Sequence, residues 1–282
     1  MPELKELIDE APGLVPAMKA GSARAPVNEA DPAKMKLPAK IFAGLPTYDG
    51  SRHNGSALGM LYLSGVDTYE IGSSFLTAAF NRCWAEALNR RGERGTTHFL
   101  LLHADIVPLE MNWVQQLWQE FTTNNCEVMA LTVPIKTVAG VTSTALEVEG
   151  DKWHPRRLTM NEIHQLPVTW SHPRLLLNTG MLLVDFSKPW VEKICFQVDN
   201  RIRKDDSGRF VVDCEPEDWH FSRQCHKLGI QLHTTRRVRV NHMGGGTWHN
   251  ASGWGKPTDP AASDPFELEE FKKEVTCLVP VE

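Results

Sequence analysis

The sequence predicts an α/β fold: a mostly parallel sheet with helices on both faces, preceded by an extended N-terminal arm. Three observations carry this expectation. Short apolar runs at residues 40–45, 97–102 and 127–132 alternate with amphipathic helical stretches. Those runs lack polar alternation, as strands buried on both faces do. Polar clusters follow each run, where α/β sheets place their ligands.

The elements follow in order. Residues 1–38 carry a short amphipathic stretch at Leu4, Leu7 and Ile8, then Pro12, Pro16, Pro26, Pro32 and Pro38. That proline density prevents long helices and suits an extended arm. The body spans residues 39–250. Its first strand, at 40–45, is expected to stop at Pro46, and a polar loop carries Thr47, Tyr48 and Asp49. Residues 73–90 set Leu76, Phe80, Cys83, Trp84, Ala87 and Leu88 on one helical stripe. The strand at 97–102 runs into His103-Ala104-Asp105. A helix through Val114, Leu117, Trp118 and Phe121 leads to the strand at 127–132 and to Lys136.

The second half is less regular. Residues 137–175 read as a long excursion. A strand is expected at 181–184, a short helix at 190–198, and a helix from Pro216 to about Leu228 stopped by Gly229. Residues 230–233 and 238–240 read as edge-like strand pieces. Asn241 to Trp248 reads as a glycine-rich loop. A tail over 251–282 is expected to pack on the domain, with a terminal helix at 266–274.

Composition narrows the class. The 282 residues are 41% hydrophobic and 23% charged with a net charge of −5, enough for one large core. The acidic balance gives no sign of a broad nucleic-acid footprint. Six cysteines, none in a C-x-x-C pair, argue against a structural zinc site and read as mostly reduced, buried thiols. No apolar run approaches the roughly 18 residues that span a bilayer, and no basic-then-apolar leader opens the chain. A cytoplasmic protein without a membrane partner is the expectation.

Four clusters bear chemistry. His103 and Asp105, read as positions i and i+2 of a strand, point to one face and can share a divalent ion, although capping by Asp105 explains the pattern equally. Glu217 and Asp218 suit a helix N-terminus electrostatically, and either can also act as a general base. His242 beside Gly244-Gly245-Gly246 offers a further metal ligand and backbone N–H groups for phosphate; Trp248, His249 and Trp254 can stack on a sugar, or serve the core. Lys136 and Arg82 are cations a diphosphate would need, or solvated surface charges.

Seven segments in order resemble the GT-A glycosyltransferases over about residues 40–250. They are Pro46-Thr47-Tyr48-Asp49, Ala79-Phe80-Asn81-Arg82, His103-Ala104-Asp105 after its apolar strand, Pro134-Ile135-Lys136, Asn178-Thr179-Gly180, Glu217-Asp218-Trp219-His220-Phe221 with Gly229, and Val240-Asn241-His242-Met243-Gly244. The resemblance implies transfer of a sugar from a nucleoside diphosphate, UDP favoured, to a hydroxyl acceptor, with Mn²⁺ or Mg²⁺ as cofactor. Asp105 would bind the metal, with His242 and His103 as further candidates. Asp218 would be the base and Glu217 its rival. Pro46, Thr47, Tyr48, Asp49, Arg82, His103, Ala104, Lys136, Asn178, Gly180, Gly244 and Trp248 would meet the donor. His103 departs from the family's Asp-x-Asp pattern at its first position.

Similar soluble enzymes include phage-type transferases acting on hydroxymethylated DNA bases. DNA is therefore a candidate acceptor, with Arg156, Arg157, Arg174, Arg236, Arg237 and Arg239 as candidate phosphate contacts, and a host cytoplasm is implied if the chain is viral. A metal-dependent hydrolase of nucleotide sugars and a non-catalytic nucleotide-sugar-binding protein are the rival readings.

Overall fold

The computed structural model describes residues 36–255 and 268–277. Most of the expected N-terminal arm and parts of the tail lie outside the described residues. The chain runs β1 (Ile41–Thr47), α1 (Gly55–Leu63), β2 (Asp67–Gly72), α2 (Leu76–Arg94), β3 (His98–Leu102), β4 (Ile106–Pro108), α3 (Trp113–Thr123) and β5 (Val128–Leu131). An antiparallel hairpin of β6 (Val141–Val148) and β7 (Asp151–Thr159) follows, then α4 (Met160–Ile163), β8 (Thr169–Ser171), β9 (Leu175–Leu176) and β10 (Met181–Asp185). A 3-10 turn at Pro189–Lys193 leads to a ribbon of β11 (Asp199–Lys204) and β12 (Phe210–Glu215). Then come α5 (Glu217–Lys227), β13 (Leu232–Thr235), the hairpin of β14 (Val240–Met243) and β15 (Thr247–His249), and α6 (Leu268–Glu274).

Seven strands form the main sheet in the order β2-β1-β3-β10-β5-β13-β8. β1 pairs in parallel with β2 and β3, and β13 with β5, whereas β10 is antiparallel to both β3 and β5 and β8 is antiparallel to β13. The expectation of a mostly parallel sheet is thus corrected to a mixed one. Five strands run one way; β10, inside the sheet, and β8, at its edge, run the other. The reason lies between β5 and β10. A parallel return needs a crossover, usually a helix, to carry the chain back to the far edge of the sheet. Here only the four-residue α4 is helical in that span. The excursion expected at 137–175 is largely the β6–β7 hairpin, with β9 paired to β6.

Period-two alternation sorts the apolar strands onto two faces. Phe42, Phe99, Leu101, Val128, Ala130, Leu182 and Val184 face one core, closed by Phe80, Cys83, Trp84 and Ala87 of α2 and by Phe221 and Cys225 of α5. Ile41, Ala43, Leu45, Leu100, Leu102, Met129, Leu131 and Leu183 face the other, closed by α1 and α3 through Leu61, Trp113, Leu117 and Phe121. Each such large side chain contributes roughly 1.5–3 kcal/mol on burial.

Other expectations need amendment. β1 does not stop at Pro46. Its ladder to β3 covers Ile41 to Gly44 only, so the prolyl nitrogen removes no bond on that side, and pairing to β2 continues through Thr47. β13 is an interior, fully buried strand rather than an edge piece. The expected helix at 190–198 is a single 3-10 turn. The thiols of Cys83, Cys126 and Cys225 are buried, while those of Cys195 and Cys214 are exposed. α6 caps the first core through Phe271, and Thr276 exchanges backbone bonds with Ser171.

Gly44 is the contact point of β1 and α2. A Cβ there would lie 2.6 Å from Cys83 Cβ and 3.0 Å from Phe99. Gly44→Ala should therefore cost roughly 1–3 kcal/mol by overpacking. Urea denaturation is the check, and an unchanged midpoint would contradict this packing.

Candidate functional site

Strand direction gathers the site. β1, β3 and β5 end at one edge of the sheet, and β10 starts there because it is reversed. The segments 47–54, 103–105, 132–136 and 178–180 therefore meet along that edge. Backbone bonds fix the meeting. His103 N–H donates to the Gly180 carbonyl (2.9 Å), His53 N–H to the Ala104 carbonyl (2.9 Å) and Ser73 N–H to the Thr47 carbonyl (2.9 Å). Asn54, buried, donates its amide to the His103 carbonyl at 2.8 Å.

β3 ends at Leu102, so His103-Ala104-Asp105 is a turn, and the strand-based reason for His103 and Asp105 sharing a face does not hold. His103 packs its ring against Phe80 at 4.8 Å between centroids, and its Nε2 is buried without a hydrogen-bond partner among the described residues. Burial pulls the imidazole down to about 4, so it is neutral at pH 7.

Asp105 meets two other partners. Its Oδ2 accepts from Lys136 Nζ at 2.5 Å, and His242 Nε2 lies 3.4 Å from the same oxygen. His242 arrives through the β14–β4 pairing, which sets it opposite Ile106; Met243 N–H also donates to the Asp105 carbonyl at 2.8 Å. His242 Nδ1 lies 2.8 Å from the Pro134 carbonyl, which can only accept, so Nδ1 donates there and Nε2 faces Asp105. Burial alone would raise the Asp105 carboxyl, but the hydrogen bonds from His242 and Lys136 outweigh it and hold the group well below the usual carboxylate range.

This is a two-donor set. A histidine whose far nitrogen is tied to a carbonyl, beside a carboxylate, has the chemistry of a divalent-ion ligand pair. No group of three or more His, Cys, Asp or Glu suited to a metal occurs among the described residues. Ligand oxygens and water would have to complete the shell.

A cleft of about 440 Å³ opens beside this trio. It is lined by Pro46, Thr47, Tyr48, Asp49, His103, Ala104, Asp105, Lys136 and Gly244, and by Ser51, His53, Ser73, Ser74, Leu76 and Met243. The volume falls in the range of small-ligand sites. Thr47 Oγ1 accepts from Gly50 N–H at 3.1 Å and shapes the loop, leaving Tyr48 75% exposed over the cleft. Asp49 accepts from Ser51 N–H, which keeps its carboxyl low. A larger groove of about 880 Å³ lies elsewhere, against Lys152, Trp153, Arg201, Arg203 and Arg223. Its cations are already spent: Arg223 on Glu147 and Glu215, Arg201 and Arg203 on Asp213.

Several expected residues stand outside the cleft. Arg82 is exposed on α2 and does not line it. In that segment Asn81 instead clamps both backbone groups of Phe196 at 2.8 Å. Asn178 accepts from Gly180 N–H at 2.9 Å, shaping the turn behind His103. The glycine-rich loop is the tip of the β14–β15 hairpin, and Trp248 lays its ring over it: a Cβ on Gly244 or Gly246 would lie 3.3 or 3.2 Å from that ring. Trp254 donates its indole N–H to the His249 carbonyl at 2.8 Å.

Glu217 and Asp218 open α5 and do not line the cleft either. They connect to the segment just before the 178–180 turn, since Ser222 Oγ donates to the Asp218 carbonyl (2.8 Å) and accepts from Leu177 N–H (2.9 Å). Asp218 Oδ1 accepts from Trp219 N–H at 2.8 Å. Burial, then the Glu217 charge, raises the Asp218 carboxyl well above its usual range; burial raises Glu217 too. The arginines considered for DNA are engaged with protein groups: Arg156 with Glu162, Arg236 with the Leu166 carbonyl, Arg237 with Glu120, Arg239 with Glu110, Arg174 with Glu274, and Arg157 over Trp219.

Sequence reasoning missed Asn54 and Asn250. Asn250, buried, accepts from Val240 N–H at 2.9 Å and donates to the carbonyls of Val238 and Thr132 at 3.0 and 3.2 Å, fastening β14 to the end of β5. Neither asparagine carries a sequence signal that separates it from a turn residue.

No protein-family profile matches the chain, and no curated protein gives a significant match. Among solved structures, the protein A197 from STIV aligns with a TM-score of 0.48 and 13% identity over 81% of this chain and 99% of that one. A glycosyltransferase involved in the glycosylation of the major capsid of PBCV-1 aligns with a TM-score of 0.30 and 15% identity over 55% of this chain and 63% of that one. Among the described residues, no helix is long and apolar enough to cross a membrane.

The buried acids at α5 generate a stability prediction. A carboxyl raised in the folded state is neutral and harmless at low pH, and its burial cost appears as pH rises through the raised value. Asp218→Asn keeps an acceptor for Trp219 N–H and removes that cost. It should raise the melting temperature at pH 8 by about 2–4 °C, the scale of ~1 kcal/mol in a domain of this size. The gain should shrink towards pH 4. A pH-independent change in calorimetry would contradict the shift.

Proposed function

We propose that this chain is a glycosyltransferase that moves a sugar from a nucleoside diphosphate, UDP favoured, to a hydroxyl acceptor with help from Mn²⁺ or Mg²⁺. The observation that carries the reading is the meeting of Asp105, His242 and Lys136 on one oxygen at the mouth of a cleft at the strand ends. A pyrophosphate needs positive charge where it sits, and an anionic ligand pair for a divalent ion beside a lysine supplies it. In this reading Asp105 and His242 hold the ion. The loop of Pro46, Thr47, Tyr48 and Asp49 meets the nucleoside, and His103 borders the same cleft.

When bound, the ion offsets the charge that develops on the leaving diphosphate. The chain's own residues do the rest. Asp218, or its neighbour Glu217, accepts the proton of the acceptor hydroxyl as that oxygen attacks the anomeric carbon. The raised carboxyls then make activity increase with pH as the pair ionises. A hydroxymethylated base in DNA belongs to the acceptor class, as does any carbohydrate or side-chain hydroxyl.

A thermal-shift series with UDP, UDP-sugars and Mn²⁺ tests the donor half. UDP with Mn²⁺ should stabilise the wild type by about 2.7 kcal/mol at a hundredfold excess over Kd, and Asp105→Ala should lose the Mn²⁺-dependent part. No stabilisation by any nucleoside diphosphate, with or without metal, would sink the proposal. For the chemical half, Asp218→Asn should retain that donor-induced shift while lowering turnover about 10²-fold or more. Full turnover in this variant would remove Asp218 from the role.

A further inference from the structure

Resting on the glycosyl-transfer reading, a second role for Lys136 follows from how crowded one oxygen is. Lys136 Nζ and His242 Nε2 both address Asp105 Oδ2, at 2.5 and 3.4 Å. The other ring nitrogen of His242 is committed to the Pro134 carbonyl, so Nε2 is the ring nitrogen turned to the carboxylate, and the Lys136 ammonium shares that oxygen with it. A divalent ion held by Asp105 and His242 would have the ammonium as a neighbour on the same carboxylate oxygen, about 5 Å away at most. Two cations on one oxygen repel, so the ion and the ammonium compete for it.

The stem of Lys136 also runs along a prepared track. A Cβ on Gly244 would lie 2.9 Å from Lys136 Cδ, so the stem passes close over the hairpin tip and a side chain there would push it aside. The side chain is 36% exposed and borders the same cleft as Asp105. It is therefore not part of the core, and the open space beside it is the cleft.

We infer that Lys136 is a resident cation that occupies the metal position in the donor-free protein and yields it when metal and diphosphate arrive together, moving its ammonium onto the phosphate oxygens. Metal and nucleotide then bind cooperatively. The ion alone must evict the lysine, whereas a diphosphate gives the evicted ammonium a new anionic partner. Reciprocity requires the ion to strengthen nucleotide binding by the same factor.

Mn²⁺ titrations followed by electron paramagnetic resonance, with and without UDP, test this on the full chain and need no turnover. Lys136→Met should bind Mn²⁺ about tenfold more tightly than wild type when UDP is absent, and the enhancement produced by UDP should fall by a similar factor. Gly244→Ala, which keeps the ammonium but crowds its stem, should shift the Mn²⁺ affinity the same way by a smaller factor. Unchanged or weaker Mn²⁺ binding in Lys136→Met, with Asp105→Ala abolishing the site, would overturn the exchange and leave the glycosyl-transfer reading standing. Absence of Mn²⁺ binding in every variant, with UDP or without it, would overturn both.

Discussion

The pairing of β14 with the three-residue β4 is the constraint on which the site depends. β4 begins one residue after Asp105, and its register sets His242 opposite Ile106. A slip of one residue would turn His242 to the other face of this small sheet. Asn250 guards against the slip by satisfying three backbone groups from a buried position, two on the β14 side and one at the end of β5. The tip needs no such fastening, because Trp248 covers its own glycines. Asp105 is held twice over, through its backbone to Met243 and through its side chain to Lys136 and His242.

Much of this was legible in the sequence, for a physical reason. Strands buried on both faces must be apolar throughout, so residues 97–102 and 127–132 announce themselves, as does the stripe of α2. Their ends then mark where polar groups can gather, and Thr47, Asp105 and Lys136 stand just beyond such runs. The reversal of β10 was not legible, because an apolar strand looks alike in either direction; only the missing crossover helix betrays it. The β6–β7 hairpin was hidden for the opposite reason. Charged residues such as Lys152, Arg156 and Arg157 interrupt its pattern, and they are accommodated by ion pairs and ring contacts that sequence spacing does not display.

Glu217 and Asp218 show a cost borne at a helix start. Acids there are favoured by the helix dipole, which is the bland explanation for them. Burial works against that benefit and raises both carboxyls instead. A residue chosen for capping alone would be exposed and ionised. One neighbour, Asp213, shows the contrast: Arg203 and Arg201 hold its carboxyl down to about 2. Two acids five residues apart thus differ by whether a guanidinium reaches them.

The interior place of β10 also governs the order in which the molecule can assemble. Residues 98–102 and 128–131 are neighbours only through residues 181–185. A growing chain therefore presents two apolar strand edges that lack their native partner until residues 181–185 have been synthesised. Unpaired edges of this kind attract other chains. The nascent protein is thus most exposed to aggregation during translation of the β6–β7 hairpin, and completing β10 closes the middle of the sheet in one step.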